Sequence, residues 1–444
     1  MKKYCIVGCG NRGIGMFGLA LAEKYKDVAE ITGLCDNNKS RLNYAQKRLG
    51  AGIPVFTEFD EMLKNVKCDT VIIASQDNTH HGYIVKALYA GKDVITEKPM
   101  TVDDIKCREI LKAEKETGRK VQVTFNYRFV PYVMKIKELL ESGIIGKIHS
   151  VDFHWYLDTV HGADYYRRWH RRKENSGGLL VHKSTHHFDV INWWLQQEPE
   201  QVFAYGNRNY YGDNNAFRGE RCLTCKNSSS CHFYMDIRKD PWLKEVYLDN
   251  EKEDHYFRDR CIYDPEIDIE DTMSVLVRYQ GGALLTYSLV TYAPVEGWQI
   301  GINGSKGRLE AFLADAFVSE ETPNYSQRES AEYRKAVDWR FSQENCGDLE
   351  LTKDEIRVFP IFGGVQSFSV DRLDGKHGGG DDRLRDMLFL PDRADTKGVM
   401  AGTHAGAMSI LIGTAANYSM ANNSPISIKD LIEDTLSHEI KLRK

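Results

Sequence analysis

The sequence predicts an α/β protein whose first third contains a doubly wound parallel sheet. Short apolar runs rich in Val, Ile or Thr alternate there with segments of helical spacing such as 80–90 and 103–117. Most of the runs lack the alternation of half-exposed strands, which indicates strands covered on both faces. A glycine motif follows the first run directly. The predicted strands are 4–7, 30–35, 70–74, 94–96 and 121–125.

Composition sets the limits of the interpretation. The chain has 444 residues, enough for two or three domains, with 42% hydrophobic residues, 28% charged residues and a net charge of −5. This balance does not predict a nucleic-acid partner. No apolar run reaches the roughly 20 residues that span a bilayer, so we expect no membrane segment. Scattered cysteines in the first quarter favour a reducing compartment, and we expect a cytoplasmic protein.

The glycine motif has the context of a dinucleotide-binding turn. Gly8, Gly10 and Gly13 follow the first predicted strand and precede an apparent helix, with Asn11 and Arg12 between the last two glycines. The first glycine permits the tight turn, the second lets the backbone approach a pyrophosphate, and the third lets helix and strand pack closely. Free N–H groups at the helix start favour the phosphates.

An acidic residue ends the second predicted strand and bears on the choice of cofactor. The carboxylate of Asp36 is suited to accept hydrogen bonds from a ribose diol and to repel a 2′-phosphate. The sequence therefore predicts NAD. Arg41 lies nearby and leaves NADP as the less favoured alternative.

Polar residues follow several strands at the sheet edge where doubly wound folds bind ligands. Lys98 follows a buried strand directly, and Pro99 fixes the direction in which the chain leaves it. We expect Lys98 at the mouth of the cofactor crevice, although a surface Glu–Lys pair is the plain alternative. The other residues expected at this edge are Ser75, Asp77, His80, Glu97, Asn126 and Arg128.

Five motifs stand in order along the chain: GCGNRG at 8–13, SQDNTHH at 75–81, TEKPMT at 96–101, NYRF at 126–129 and GGLLVHKSTHHFD at 177–189. Together they resemble the glucose–fructose oxidoreductase, inositol dehydrogenase and rhizopine catabolism (Gfo/Idh/MocA) family. The resemblance covers at least residues 1–195, with weaker continuation at 300–310 and 402–419. It implies a Rossmann domain over 1–126, then an α/β domain over 127–444 with a large, mostly antiparallel open sheet.

Local patterns in the second region agree with that implication. Strands are predicted at 147–155, 273–279, 283–291, 298–302 and 308–312, with a glycine turn at 280–282. A polar, cysteine-containing segment at about 208–268 is predicted to be an insertion. The resemblance also implies that this domain covers the substrate and mediates homo-oligomers, a dimer or a tetramer.

The resemblance implies hydride transfer between a sugar or polyol carbon and nicotinamide. Lys98 matches the family lysine that touches the reacting hydroxyl, and His186 matches the family acid/base histidine. Asp189 matches the acid that follows this histidine. The chain departs from the family in having His182 where many members have Asp, followed by Lys183. This departure bears on the proton relay and on the type of reaction.

Acid/base chemistry can be assigned from the residue types. A base works best with a pKa near the working pH, where histidine starts, whereas lysine needs a dry crevice to lower its pKa. We therefore expect His186 to be the main acid/base and Lys98 to orient the hydroxyl, with the reverse assignment open. His182 and His186 would share one face of a helix, unless these residues only cap it. The ligand spacing predicts no catalytic metal.

An aromatic and basic stretch precedes the second pair of glycines. Tyr165, Arg168, Trp169 and His170 could stack on a sugar and bind its hydroxyls. We expect a substrate surface here, with Lys98, Arg128 and Asp189 contributing; a solvated charged loop is the alternative.

The insertion carries a cysteine cluster. Cys222 and Cys225 form a C-x2-C pair, Cys231 follows, and Cys261 lies about thirty residues further on. Four thiolates could build a structural zinc site, with His232 able to replace one of them. An iron–sulfur cluster and metal-free thiols are the alternatives.

The sequence therefore predicts an NAD-dependent oxidoreductase acting on a carbohydrate or glycoside ring carbon. Two alternatives remain. A redox-neutral NAD-dependent glycosidase would pass through a ketosugar intermediate, and a non-catalytic protein would only sense NAD.

Overall fold

The chain is built on two β-sheets, as its sequence predicts. The computed structural model describes residues 1–294, 296–314, 353–371, 373 and 378–435. The first sheet is parallel apart from one edge strand, and the second is mostly antiparallel. The predicted α/β class, with a Rossmann sheet followed by a large open sheet, is confirmed. The division into two domains at residue 126 stays a prediction.

Within the described residues, seven strands form the first sheet in the order β15-β6-β5-β4-β1-β2-β3. The five strands predicted from apolar runs are all present, and the two that were missed are only two residues long. Such short pieces carry no periodic pattern. The bounds are β1 Lys2–Val7, β2 Ala29–Cys35, β3 Val55–Phe56, β4 Thr70–Ile73, β5 Asp93–Thr96, β6 Val121–Val123 and β15 Ala401–Gly402.

In the part of the chain that the structure describes, nine strands form the second sheet in the order β14-β13-β12-β11-β7-β10-β9-β8-β16. Side chains of β9 alternate between buried and exposed, which is the pattern of a sheet covered on one face. All neighbours are antiparallel except β7 and β10. The bounds are β7 Ile148–Asp158, β8 Pro199–Asn207, β9 Thr272–Tyr279, β10 Leu284–Ala293, β11 Gly297–Gly304, β12 Gly307–Ala314, β13 Lys353–Pro360, β14 Gln366–Asp371 and β16 Ile426–Ser427.

Helices cover the sheets and carry the polar residues of the site. Among the helices that the structure describes, none combines the length and apolar character that crossing a bilayer requires. A π-helix spans Asn11–Gly18, and short 3-10 helices include Asn126–Phe129, Trp169–Arg171, Gly212–Asn214, Cys222–Thr224, Ile237–Lys239 and Leu248–Asn250. The α-helices are Leu19–Glu23, Lys39–Leu49, Phe59–Asn65, Asp77–Tyr89, Asp104–Thr117, Pro131–Glu141, His161–Arg167, Lys173–Ser176, Leu179–His182, Thr185–Leu195, Pro241–Val246, Glu251–Asp254, Gly380–Phe389, Thr403–Asn422 and Ile428–Glu433.

Helix Thr403–Asn422 holds the two helices that carry the candidate histidines. It packs against Leu179–His182, Thr185–Leu195 and strand β8. Small side chains make the close approach possible, because a β-carbon on Gly413 would lie 2.4 Å from the carbonyl oxygen of Leu180. The histidine helices are therefore fixed by backbone packing.

We expect Gly413→Ala to lower the free energy of unfolding by about 1–3 kcal/mol, because the added methyl must displace the backbone at Leu180. Chemical denaturation followed by circular dichroism measures this loss. Gly82→Ala is the matched control, since Gly82 is also helical but its β-carbon would meet nothing within 4 Å. Gly82→Ala should leave the free energy of unfolding unchanged or raise it by up to about 1 kcal/mol. Equal effects of the two changes would contradict the packing argument.

Candidate functional site

One large cleft brings together most of the residues predicted for the site. It has a volume of about 1180 Å³ and lies at the carboxyl ends of the strands of the first sheet. The predicted residues in its wall are Gly8, Gly10, Asn11, Arg12, Asp36, Ser75, Asp77, His80, Glu97, Lys98, Asn126, Tyr165, Arg168, Trp169, His170, His182, Lys183 and His186.

The glycine loop has the close packing that its sequence predicts. Gly8 has φ +88°, and a β-carbon there would lie 2.6 Å from the backbone of Ala74 and Ser75. A β-carbon on Gly13 would lie 1.8 Å from the carbonyl oxygen of Gly8, so this glycine serves packing and is not part of the cleft wall. The helix predicted after the loop begins as a π-helix. Glycines, which lack side chains, let a dinucleotide pyrophosphate approach the backbone N–H groups before the start of a helix.

Asp36 is fixed at the end of β2 by backbone donors and by one arginine. Its carboxylate accepts from the N–H groups of Cys9 at 2.7 Å and Asn38 at 2.9 Å. Arg41 lies 3.2 Å from Asp36 and 2.7 Å from Asp254, so two carboxylates hold this guanidinium. The donor that could have accommodated a 2′-phosphate is already engaged.

Arg12 points into an acidic pair instead of standing alone at the loop. It lies 2.8 Å from Glu97 and 3.2 Å from Asp381. The Asn126 amide donates to the same Asp381 at 2.5 Å. This network links the glycine loop to the turn that carries Lys98 and to helix Gly380–Phe389.

A hydrogen-bonded chain of three side chains reaches into the cleft. Lys98 Nζ donates to His182 Nε2 at 3.3 Å and to the His182 carbonyl oxygen at 3.2 Å. On the other side of the ring, His182 Nδ1 lies 2.5 Å from Asp77 Oδ2. The chain runs Lys98, His182, Asp77. Lys98 comes from the end of β5, and Asp77 begins the helix after β4.

Burial shifts the pKa of each member of this chain towards its neutral form. It lowers the pKa of Lys98 to about 8, with the Asp77 charge opposing this shift and the Lys183 charge adding to it. Burial, followed by the Lys98 charge, holds the pKa of His182 well below its ordinary value. Burial also raises the pKa of Asp77 well above its usual range. A proton can therefore move along the chain near neutral pH.

Asp77, His170 and His182 also place ligand-type atoms within 4.8 Å of one another. A cation there would face the Lys98 ammonium, which already contacts His182 Nε2, and the charge of Arg168, which lowers the pKa of His182. The local positive charge favours the hydrogen-bonded chain over a metal at this position.

His182 and His186 do not share one helix face, contrary to the sequence prediction. His182 ends helix Leu179–His182, and His186 lies in the first turn of Thr185–Leu195. At the break between the two helices, the Ser184 N–H donates to the Leu179 carbonyl oxygen, and the Ser184 hydroxyl forms a hydrogen bond with the Tyr287 hydroxyl. His186 is buried beside the rings of Phe125 and Tyr127, at centroid distances of 6.1 and 6.0 Å.

The aromatic and basic stretch lies in the cleft wall rather than on a solvated loop. Trp169 and His170 stack at 3.6 Å, and the ring of Tyr165 meets that of His182 edge-on at 5.3 Å. Lys183 Nζ lies 4.8 Å from the centroid of the Trp155 ring. This wall offers flat faces and cationic donors next to Lys98.

Arg128 and Asp189 are absent from the cleft wall, so the prediction that they contact substrate needs correction. They form a bidentate ion pair with distances of 2.6 and 2.7 Å, and both are buried. Asp189 follows His186 by about one helical turn, and its carboxylate is held by Arg128. The pair joins the 3-10 helix after β6 to helix Thr185–Leu195.

His80 lines the cleft and lies between two backbone carbonyl groups of the cleft walls. Nδ1 lies 2.9 Å from the Pro99 carbonyl oxygen, and Nε2 lies 3.2 Å from the Ser75 carbonyl oxygen. It therefore joins the loop after β4 to the turn that presents Lys98.

The cysteine cluster is not assembled as a closed tetrahedron. Among the described residues, no three of the sulfurs of Cys222, Cys225, Cys231 and Cys261 lie within 4.8 Å of one another. Cys222 Sγ instead accepts from Arg167 at 3.1 Å. Zinc–thiolate bonds of about 2.3 Å would bring the sulfurs closer than this arrangement does. A zinc site stays a prediction of the sequence.

Besides Asp381, the cleft wall contains other residues that the sequence does not predict. Residues of the insertion, above all Tyr247 and Asp254, lie in its wall. His161 also lines it, with Nδ1 3.0 Å from the buried Glu296 and Nε2 3.0 Å from the Tyr165 hydroxyl. No local pattern marks these residues, because they are brought together from distant parts of the chain.

Comparison with known proteins agrees with this fold and cleft. Residues 2–125 match the oxidoreductase family's NAD-binding Rossmann fold, and residues 137–428 match its C-terminal alpha/beta domain. The chain therefore belongs to the Gfo/Idh/MocA oxidoreductase family, and the resemblance seen in the sequence is confirmed.

Individual relatives cover the chain to different extents. The Bacillus subtilis (strain 168) protein YteT is 40% identical over 98% of this chain and 99% of its own length. The myo-inositol 2-dehydrogenase of Thermotoga maritima is 28% identical over 45% of this chain and 58% of its own length. The WlbA dehydrogenase of Bordetella pertussis, solved with NADH and UDP-GlcNAcA, superposes with a TM-score of 0.61 at 17% identity, covering 96% of this chain and 98% of that one. This last likeness shows a shared fold.

Proposed function

We propose that the protein is an NAD-dependent oxidoreductase that transfers a hydride between a carbohydrate or glycoside ring carbon and nicotinamide. The observation that carries the proposal is the Lys98–His182–Asp77 chain, which opens into the same cleft as the glycine loop and Asp36. The family supplies the NAD-binding fold. The inositol dehydrogenase activity of one relative supports a polyhydroxylated substrate.

Bound NAD supplies the hydride acceptor, and the protein must remove the hydroxyl proton. Lys98 accepts that proton, because its lowered pKa leaves part of the amine neutral near pH 8. The proton then passes to His182 Nε2, while the proton on Nδ1 moves to Asp77, whose raised pKa favours protonation. In this way the departure from the family at position 182 becomes part of the relay.

This assignment gives His186 a different role from the one that the sequence favours. His186 lines the cleft, but Lys98 contacts His182 directly, so His186 does not lie between them. We assign it to hold the reacting hydroxyl towards Lys98. We therefore propose the reverse of the sequence-based assignment: Lys98 is the acid/base group, and His186 orients the hydroxyl.

The aromatic wall supports a ring-shaped substrate. Sugar faces stack on flat aromatic surfaces, and Trp169 with Tyr165 provides such surfaces beside Lys98. Arg168 and Lys183 add donors for ring hydroxyls. These contacts agree with a carbohydrate or glycoside rather than a compact hydroxy acid.

A panel of sugars, polyols and aryl glycosides, followed for NADH absorbance and aglycone release, tests the function. We expect NADH formation with at least one free sugar or polyol. Lys98→Ala should reduce turnover about 100-fold or more, the scale of a lost acid/base group, while NADH binding is retained. Lys92→Ala is the control, since its amine caps the Cys68 carbonyl outside the cleft.

Other outcomes of the panel separate the alternatives. Aglycone release without net NADH would replace the dehydrogenase by a redox-neutral glycosidase. NADH binding with turnover of no compound, or full turnover by Lys98→Ala, would contradict the proposal and leave a sensor as the simplest account.

The pH dependence of oxidation identifies the base. We expect kcat/KM to rise with pH through about 8, because only neutral Lys98 accepts the proton. Asp77→Asn removes a charge that raises the Lys98 pKa and should shift this limb to lower pH. Lys183→Gln removes a charge that lowers the Lys98 pKa, so the rise of kcat/KM should move to higher pH. A limb near the ordinary histidine pKa of about 6.5, unmoved in both variants, would identify His186 as the base.

NAD rather than NADP is the proposed cofactor. Asp36 repels a 2′-phosphate, and Arg41 is neutralised by Asp36 and Asp254. Fluorescence titration should show that NADH binds at least about tenfold more tightly than NADPH, the scale of an unfavourable like-charge contact. Asp36→Ala should reduce the preference for NADH over NADPH. Glu30→Ala, near the other end of the same strand, is the control. Equal binding of the two nucleotides by the unaltered protein would contradict the assignment.

We also propose a homo-oligomer formed through the second sheet. The outer face of β8, β9 and β10 exposes large apolar side chains, namely those of Tyr205, Leu276 and Leu284. Exposed apolar side chains clustered on one sheet face are typical of an interaction surface.

A further inference from the structure

One part of the insertion lies against the predicted dinucleotide site. We define the docking segment as residues 240–256, which include helix Pro241–Val246, the 3-10 helix Leu248–Asn250 and helix Glu251–Asp254. Val246, Tyr247 and Asn250 within it are buried. The segment contacts the first domain at three places: the glycine loop, the end of β2 and helix Lys39–Leu49.

The contact with the glycine loop involves the backbone that faces the cofactor. The Asn11 N–H donates to the Tyr247 hydroxyl at 2.9 Å, and the Trp242 indole N–H donates to the Asn11 side chain at 2.9 Å. A β-carbon on Gly10 would lie 3.3 Å from the same hydroxyl. Tyr247 therefore closes the side of the loop that a pyrophosphate approaches.

The contact at the end of β2 involves the residues that surround Asp36. The Asn38 amide donates to the Asn250 carbonyl oxygen at 2.9 Å. Arg41 donates to the Val246 carbonyl oxygen at 3.3 Å and to Asp254 at 2.7 Å. These bonds are buried or partly buried, so water does not replace them easily.

The outer contacts fix the segment along helix Lys39–Leu49. The Tyr44 hydroxyl donates to Glu245 at 2.9 Å, and the Ser40 N–H donates to Glu253 at 3.1 Å. The segment thus follows the rim of the cleft from the phosphate end to the ribose end.

We propose that the docking segment is part of the dinucleotide-binding site and retains NAD as a slowly exchanging resident group. A hydroxyl both donates and accepts, so Tyr247 can donate to a phosphate oxygen when the Asn11 N–H is turned to that phosphate. NAD must then release the Tyr247 contact, and the segment must leave the loop, before NAD can dissociate. This inference concerns cofactor binding alone and does not depend on the substrate.

The test measures the release of NADH from the full-length protein. Protein loaded with NADH is separated from free nucleotide, mixed with excess NAD, and followed by the fluorescence of bound NADH. We expect Tyr247→Phe to release NADH about tenfold faster than the unaltered protein, because a hydrogen bond to a charged phosphate is lost. Tyr89→Phe, which changes an exposed tyrosine at the end of helix Asp77–Tyr89 outside the cleft, is the matched control and should leave the rate unchanged.

Two further measurements keep the result decisive. Thermal unfolding without NADH shows whether Tyr247→Phe is folded. If it is not, Trp242→Phe takes its place; this change removes the indole N–H donated to Asn11 together with part of the ring. Hydrogen exchange should show that NADH protects residues 240–256. Release that is unchanged or slower in both variants, or NADH that protects the glycine loop but not the docking segment, would overturn the proposal. Neither result would affect the proposed oxidation of carbohydrates.

Discussion

A buried carboxyl, an imidazole and an amine are costly to desolvate separately, and this protein places them in one hydrogen-bonded chain. Asp77, His182 and Lys98 satisfy each other, and burial shifts the pKa of each towards its neutral form. The same low polarity that makes the chain expensive makes proton transfer along it easy near neutral pH. Hydride transfer between the proposed substrate and NAD requires this hydrogen-bonded chain to reach the cleft that binds both.

The rest of the fold keeps the chain in place. Strands β4 and β5 deliver Asp77 and Lys98 to the same sheet edge, and His80 joins the two turns. His182 comes from the second region of the chain, where helix Thr403–Asn422 holds its helix by close backbone packing. The docking segment adds a wall over the glycine loop. The site is therefore shared between widely separated parts of the sequence.

Much of this could be predicted from sequence because it is local. The apolar strands, the glycine turn, Asp36 and the Lys98 turn each carry their own pattern, and parallel strands bring their carboxyl ends together. The features that the sequence did not predict depend on tertiary contacts. The partner of Asp189 is Arg128, Ser184 at the helix break bonds the distant Tyr287 hydroxyl, and Tyr247 reaches the loop from a polar insertion. No periodicity encodes such contacts.

The state of His182 tests the account most directly. Nitrogen-15 NMR of histidine-labelled protein, with the signal assigned through His182→Gln, reports which ring nitrogen carries the proton. We predict a neutral ring with the proton on Nδ1 from about pH 6 to pH 8, because burial lowers the pKa of His182 well below the usual value of about 6.5. An imidazolium that titrates near that usual value, or a proton held on Nε2 instead, would contradict the hydrogen-bonded chain from Lys98 to Asp77.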